Sequence, residues 1–178
     1  VSFLGVLIFG TIYGVVIGVL LSFVSVIIKA SVPPRGFLGV IPGQNGFYDM
    51  ERNSNAHAIQ GAVIYRFSGT LFFADINVFV SDIEKAVTPD VKAVVVDASG
   101  IGSIDITAAD RLVILADKLK NKGVRFYITE HVGDVNDLLR KLGAGELIDR
   151  GAVRRTISLA LRDAGIVRPY PLEDRDGV

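Results

Sequence analysis

The hydrophobic pattern divides the chain into a long apolar segment and a longer part in which apolar and polar residues alternate. Residues 1–28 contain no Lys, Arg, Asp, Glu or His. A helix of that length would measure about 42 Å, against roughly 30 Å for the hydrocarbon core of a membrane. The pattern therefore predicts a transmembrane segment at residues 1–30.

Three glycines recur at four-residue spacing in this segment, at Gly10, Gly14 and Gly18. Residues four apart share one face of a helix, and a glycine face lets a second helix approach closely. Glycine is also simply common in membrane helices, so two interpretations stay open. On the first, the segment packs against transmembrane helices that this chain lacks.

The apolar segment lacks the basic start and the small-residue cleavage site of a signal peptide. It opens at Val1 rather than at Met, so we expect a fragment of a multi-pass protein of the cell (inner) membrane. Lys29 and Arg35 are the first charges after the segment. By the positive-inside tendency, they predict that the following body is cytoplasmic.

The rest of the chain predicts an α/β body. Residues 31–58 are rich in Pro and Gly and predict a linker without long regular elements. The predicted strands cover residues 62–67, 70–73, 92–97 and 124–128, with a turn at Ser68-Gly69 between the first two. The predicted helices cover residues 75–87, 105–121, 135–142 and 152–164. Their alternation predicts one mixed β-sheet with flanking helices over residues 59–165, followed by a flexible tail at residues 166–178.

Composition narrows the range of functions. The 19 basic and 19 acidic residues balance, which argues against nonspecific nucleic-acid binding. The absence of cysteine excludes disulfides and thiol catalysis, and His57 and His131 lack metal-ligand spacing. No phosphate-loop motif occurs, and Gly100-Ile-Gly102 alone is a weak signal. We therefore expect no catalytic site, no metal and no cofactor.

The most informative segment leads into the predicted helix at 105–121. Either Asp105 or Thr107 can cap that helix, and Asp110 follows Thr107 at capping-box spacing. One interpretation is that these residues only begin a helix. The other is that the Thr107 hydroxyl lies where backbone N–H groups and the helix dipole favour a phosphate, which would add about two negative charges to a docking surface.

Residues 94–112, VVVDASGIGSIDITAADRL, resemble the signature of the STAS domain. This domain is shared by bacterial anti-sigma-factor antagonists and by the tails of SulP anion permeases. In the antagonists the helix begins Asp-Ser-Ser-Gly, and the second Ser is phosphorylated. Asp105, Ile106, Thr107 and Ala108 occupy these positions here, so the hydroxyl is kept while Ile106 and Ala108 depart from the pattern.

Further resemblance favours the SulP branch. The apolar run resembles the end of the SulP membrane domain, residues 35–56 its linker and residues 61–75 the opening strands of its STAS domain. The chain therefore resembles the last transmembrane segment plus STAS domain of a secondary transporter of sulfate, bicarbonate or dicarboxylates. The resemblance implies that the STAS domain regulates or assembles the transporter through the membrane domain, a second protomer's STAS domain or a soluble regulatory protein.

The expected regulatory surface comprises Asp105, Thr107 and Asp110 with Ser99 and Ser103 on the preceding loop. One alternative is a membrane-tethered signalling switch of the antagonist type, with Thr107 phosphorylated by a partner kinase. Another is nucleotide binding by the STAS body, which the absence of a phosphate loop disfavours.

Overall fold

The computed structural model describes residues 2–30, 33–131 and 133–173. The chain divides into two compact units, Val1–Pro33 and Pro34–Val178. The helices are α1 (Ser2–Ala30), α2 (Ile76–Ala86), α3 (Ile106–Asn121), α4 (Gly133–Lys141), α5 (Glu146–Asp149) and α6 (Ile157–Asp163). The strands are β1 (Arg35–Gly39), β2 (Tyr48–Asp49), β3 (Ala62–Leu71), β4 (Ala93–Ile104) and β5 (Arg125–Thr129).

The first unit consists largely of α1. At Gly10 the backbone leaves the helical region, with φ 81° and ψ 169°, so α1 is two helical segments joined at a kink. Glycine adopts this conformation without the clash that a Cβ would cause. In residues 2–30, 33–131 and 133–173, no helix has the length and apolar character needed to cross a membrane, unlike the segment expected at residues 1–30. The packing role expected for Gly10, Gly14 and Gly18 stays a prediction.

The second unit, called the body below, is built on one mixed sheet with strand order β2-β1-β3-β4-β5. Strands β3, β4 and β5 run parallel, whereas β1 is antiparallel to β3 and to β2. The carboxyl ends of the three parallel strands therefore lie at one edge of the sheet, where β1 begins. We call this edge the upper edge. The α/β class and the mixed sheet with flanking helices are confirmed.

Apolar side chains fill both faces of this sheet. Val94 and Val96 of β4 belong to a cluster with α2, α3 and α4, whereas Val95 belongs to a second cluster with α6. All three are at most 1% exposed. The run of β-branched residues in β4 is continuous because neighbouring residues point into different cores.

Two local predictions before β4 are wrong. Residues 31–58 contain β1 and β2, because Phe37 and Leu38 pair with Tyr65 and Ile64 of β3, a long-range contact that the glycine-rich local sequence does not reveal. The predicted turn at Ser68-Gly69 lies inside β3. This strand continues to Leu71, since its pairing with β4 shifts register at two irregular points instead of ending.

The C-terminal part also differs from expectation. The last helix begins at Ile157 rather than at residue 152, because residues 152–154 run beside β5 and exchange hydrogen bonds with Ile128. Helix α5 was not predicted. Within the predicted flexible tail, Gln60 N donates to Pro171 O, and Leu172 pairs with Ile59. Residues 174–178 lie outside the described residues.

Candidate functional site

The upper edge of the sheet holds the start of α3, and Asp105 fixes it there. The Asp105 backbone is extended, and its Oδ1 accepts from Ala108 N at 2.7 Å, so Asp105 is the N-cap residue. Its Oδ2 accepts from Phe73 N at 3.0 Å, and its own N–H donates to Leu71 O at 3.0 Å. Asp105 thus joins α3 to the turn that follows β3. Of the two capping candidates, the structure selects Asp105.

A second carboxylate, Asp75, lies buried in this turn. Its side chain is fully buried, and Oδ1 accepts from Phe72 N at 2.8 Å. Oδ2 is buried without a hydrogen-bond partner. Burial raises the pKa of Asp75, and the charge of Asp105 acts in the same direction. The turn therefore holds the pKa of Asp75 above its ordinary value, next to an Asp105 that accepts two backbone N–H groups. Local sequence pattern did not single out Asp75, because the contact spans about 30 residues.

Thr107 occupies an exposed position in the first turn of α3. The helix is capped by Asp105, so the Thr107 hydroxyl is not used as the cap. Asp110 is exposed one turn further along α3. Asp105, Thr107 and Asp110 thus lie together at the beginning of one helix, as predicted from their spacing.

Ser99 and Ser103 lie in β4 and not in a loop, which corrects the sequence-based placement. The reason is that β4 continues beside the extended β3, with Ser103 paired to Thr70. Ser103 is half-buried two residues before Asp105, and so belongs to the same edge. Ser99 is exposed further back on the strand, where its N–H donates to the buried carboxylate of Asp97.

Two exposed apolar side chains accompany these polar groups. Phe73 is 64% exposed and Ile106 is 62% exposed. The hydrogen bond from Phe73 N to Asp105 Oδ2 places Phe73 beside Asp105, the residue that directly precedes Ile106. Large apolar side chains in an exposed cluster are typical of contact surfaces. We call Phe73, Asp105, Ile106, Thr107 and Asp110 together the α3 surface.

The chain enters the body close to the α3 surface. Ser68 N donates to Pro34 O, which fixes the start of β1 beside β3. Arg35 then forms an ion pair with Asp82 of α2 at 2.6 Å. From Ser68 to Leu71 the strand advances about 10 Å, and Leu71 O accepts the Asp105 N–H. The α3 surface and the start of the body therefore lie at the same edge.

The histidines are not part of this arrangement. His57 is half-buried, and its N–H and C=O bond to Val40. His131 Nε2 lies 3.0 Å from Asn136 Nδ2, and burial lowers the pKa of His131. Within the part of the chain that the structure describes, no three His, Cys, Asp or Glu side chains form a metal-binding group.

The STAS domain family matches residues 53–164, which is more than half of the chain. The chain belongs to the STAS domain family. This confirms the resemblance inferred from residues 94–112, and the match includes β3, β4, β5 and the whole of α3.

The curated relatives of this STAS chain are sulfate transporters, as the SulP resemblance predicted. "Probable sulfate transporter Rv1739c" of Mycobacterium tuberculosis is 30% identical over 144 residues, which cover 79% of this chain and 25% of that protein. "Probable sulfate transporter 4.2" of Arabidopsis thaliana is 29% identical over 157 residues, which cover 81% of this chain and 23% of that protein. This STAS chain therefore spans about a quarter of the length of these relatives.

Solved structures share the fold. The murine anion transporter Slc26a9, in its inward-facing state, matches 93% of this chain and 27% of its own with a TM-score of 0.80 at 22% identity. A sulfate transporter family protein from Wolinella succinogenes matches 66% of this chain and 96% of its own, with a TM-score of 0.54 at 19% identity.

Proposed function

We propose that this chain is the C-terminal part of a secondary anion transporter, with sulfate or a related anion as cargo. In this proposal the STAS body is cytoplasmic and regulates transport through the α3 surface. The supporting observation for the transporter is the set of sulfate transporters among its relatives. The body itself would carry no anion across the membrane.

The position of the α3 surface supports a regulatory contact with the membrane domain. The start of β1 is fixed to Ser68, about 10 Å along the strand from the residue that bonds Asp105. A membrane domain that precedes the body would be tethered at this same edge. The exposed Phe73 and Ile106 supply apolar contact area, and the helix N-terminus supplies a place where added negative charge is tolerated.

A second candidate is a membrane-tethered switch that is controlled by phosphorylation of Thr107. It is favoured by the exposure of Thr107 in the first turn of α3, where a phosphate would meet free backbone N–H groups. In that case the α3 surface would bind a soluble regulator, and the protein would not transport anions.

The test is uptake of labelled sulfate and bicarbonate by the complete transporter in proteoliposomes. The variants are removal of the body after Lys29, Thr107→Ala and Thr107→Glu. Thr88→Glu is the matched control, since Thr88 is also exposed but precedes β4 at the opposite edge of the sheet. We expect Thr107→Glu and the truncation to change the uptake rate, and Thr88→Glu to leave it unchanged.

Two results would contradict the proposal. Equal effects of Thr107→Glu and Thr88→Glu would remove the special role of the α3 surface. Absence of uptake for every anion tested, together with phosphorylation of Thr107 by a co-expressed kinase, would favour the signalling switch instead.

A further inference from the structure

A cavity of the body lies at the outer edge of β5, away from the α3 surface. Its volume is about 790 Å³, within the range of small-molecule sites. One wall is β5 itself, and the others come from the end of α3, from α5 with the residues after it, and from α6. Nothing in the proposed regulatory role uses this cavity.

The lining combines apolar surface with positive charge. Ala116, Val124 and Leu147 contribute apolar surface. The charged residues that line the cavity are one carboxylate, Asp163, and four cations: Lys120, Arg125, Arg150 and Arg154. Such a lining suits a ligand with an apolar part and an anionic group.

Two of the four cations form ion pairs with carboxylates of the protein itself. Arg150 bonds to Asp117 and to Glu146, each at 2.5 Å, and Arg154 bonds to Asp163 at 2.5 Å.

Lys120 and Arg125 differ from these two. Arg125 donates to the backbone carbonyl of Asp163, and neither Lys120 nor Arg125 has a carboxylate partner among the residues described. The cavity therefore offers two uncompensated positive charges, which fits a compact anion of one or two charges better than a triphosphate.

The edge of β5 adds backbone groups without partners. On this edge the Ile128 N–H and C=O bond to Ala152 and Arg154. Phe126 points its N–H and C=O to the same side, two residues earlier, and no described residue bonds them there. A ligand oxygen at this edge of β5 would accept a hydrogen bond from the Phe126 N–H.

We propose that this cavity binds a small organic anion, a carboxylate or sulfonate attached to an apolar ring or short chain. The apolar part lies against Val124 and Leu147. The anionic group lies between Lys120 and Arg125 and accepts from the Phe126 N–H. This site is separate from the α3 surface, and its test does not depend on transport.

The test is calorimetric titration of the complete chain with three probes. Naphthalene-2-sulfonate carries both the ring and the charge, inorganic sulfate carries only charge, and 2-naphthol carries only the ring. We expect naphthalene-2-sulfonate to bind at least about tenfold more tightly than either of the others, because one charge-assisted contact is worth about a factor of ten.

Variants locate the binding in the cavity. Lys120→Gln and Arg125→Gln should each weaken naphthalene-2-sulfonate binding about tenfold. Ala116→Leu fills the apolar wall and should weaken naphthalene-2-sulfonate while leaving sulfate unchanged. Lys122→Gln is the matched control, because Lys122 is exposed at the end of the same helix but does not line the cavity. Unchanged urea midpoints will show that the variants are folded.

Three outcomes would overturn the proposal. The first is no heat of binding for naphthalene-2-sulfonate at millimolar concentration. The second is equal affinity for sulfate, which would mean that the cavity's apolar wall is not used. The third is an equal loss of affinity in Lys122→Gln, which would mean that the probe binds to general surface charge.

Discussion

The close approach of β3 and β4 makes Gly100 and Gly102 a matched pair of positions in one strand. A Cβ on Gly100 would lie 2.4 Å from Ser68 Oγ, 2.7 Å from Ser68 Cβ and 2.8 Å from Ser68 Cα. A Cβ on Gly102 would have no neighbour within 4 Å. The same substitution to alanine therefore tests steric contact at one position and only chain flexibility at the other.

Gly100→Ala should destabilise the body by about 3 kcal/mol, the upper part of the range for overpacking. The reason is that two of the three clashing atoms of Ser68 are fixed to the backbone, so a rotamer change cannot relieve them. Gly102→Ala should stabilise the body by about 0.5 kcal/mol, because alanine restricts the unfolded chain.

The assay is urea unfolding followed by tyrosine fluorescence, since the chain contains 5 Tyr and no Trp. A difference of about 3.5 kcal/mol between the variants should separate their midpoints by roughly 1–3 M urea. Ser68→Gly combined with Gly100→Ala should recover part of the loss, because it removes the two side-chain atoms that clash. Equal midpoints for Gly100→Ala and Gly102→Ala would refute the reasoning.

Two further predictions concern the upper edge. Asp105→Ala should lower the free energy of unfolding in urea by about 2 kcal/mol, because it removes the helix cap and the hydrogen bond from Phe73 N. Thr107→Ala should change the free energy of unfolding by less than about 0.5 kcal/mol. Equal effects of the two variants would contradict the assignment of Asp105 as the cap. Asp75 binds its proton more tightly in the folded state, so its contribution is fully present below the ordinary pKa of 3.8 and is lost as pH rises through the raised pKa. The free energy of unfolding of Asp75→Asn should therefore rise relative to wild type from acidic to neutral pH, and a constant difference would show that the pKa of Asp75 is the same in the folded and unfolded states.

Elements defined by local periodicity could be predicted. Helices α2, α3 and α4 have apolar residues at helical spacing, and the β-branched start of β4 indicates burial on both faces. The elements that local sequence did not predict depend on pairing partners that are distant in sequence. Strand β1 exists because β3 pairs with it, and residues 152–154 are extended because β5 offers them a free edge.

The candidate site was also predictable only in part. The roles of Asp105 and Thr107 at the helix start could be predicted from a capping pattern within a few residues. Asp75 and Phe73 belong to the site only because β3 and β4 bring two separate turns together, which local sequence does not encode.

The pairing of Leu172 with Ile59 has a consequence for synthesis on the ribosome. Each parallel strand pairs with the one made before it, so the face covered by α2, α3 and α4 can form as the chain emerges. The opposite face, with Ile64, Val95 and Tyr127, is covered only when α6 and the segment around Leu172 have been made. A nascent chain that stalls before α6 would therefore present an open apolar sheet face, which is the kind of surface that chaperones bind and that promotes aggregation.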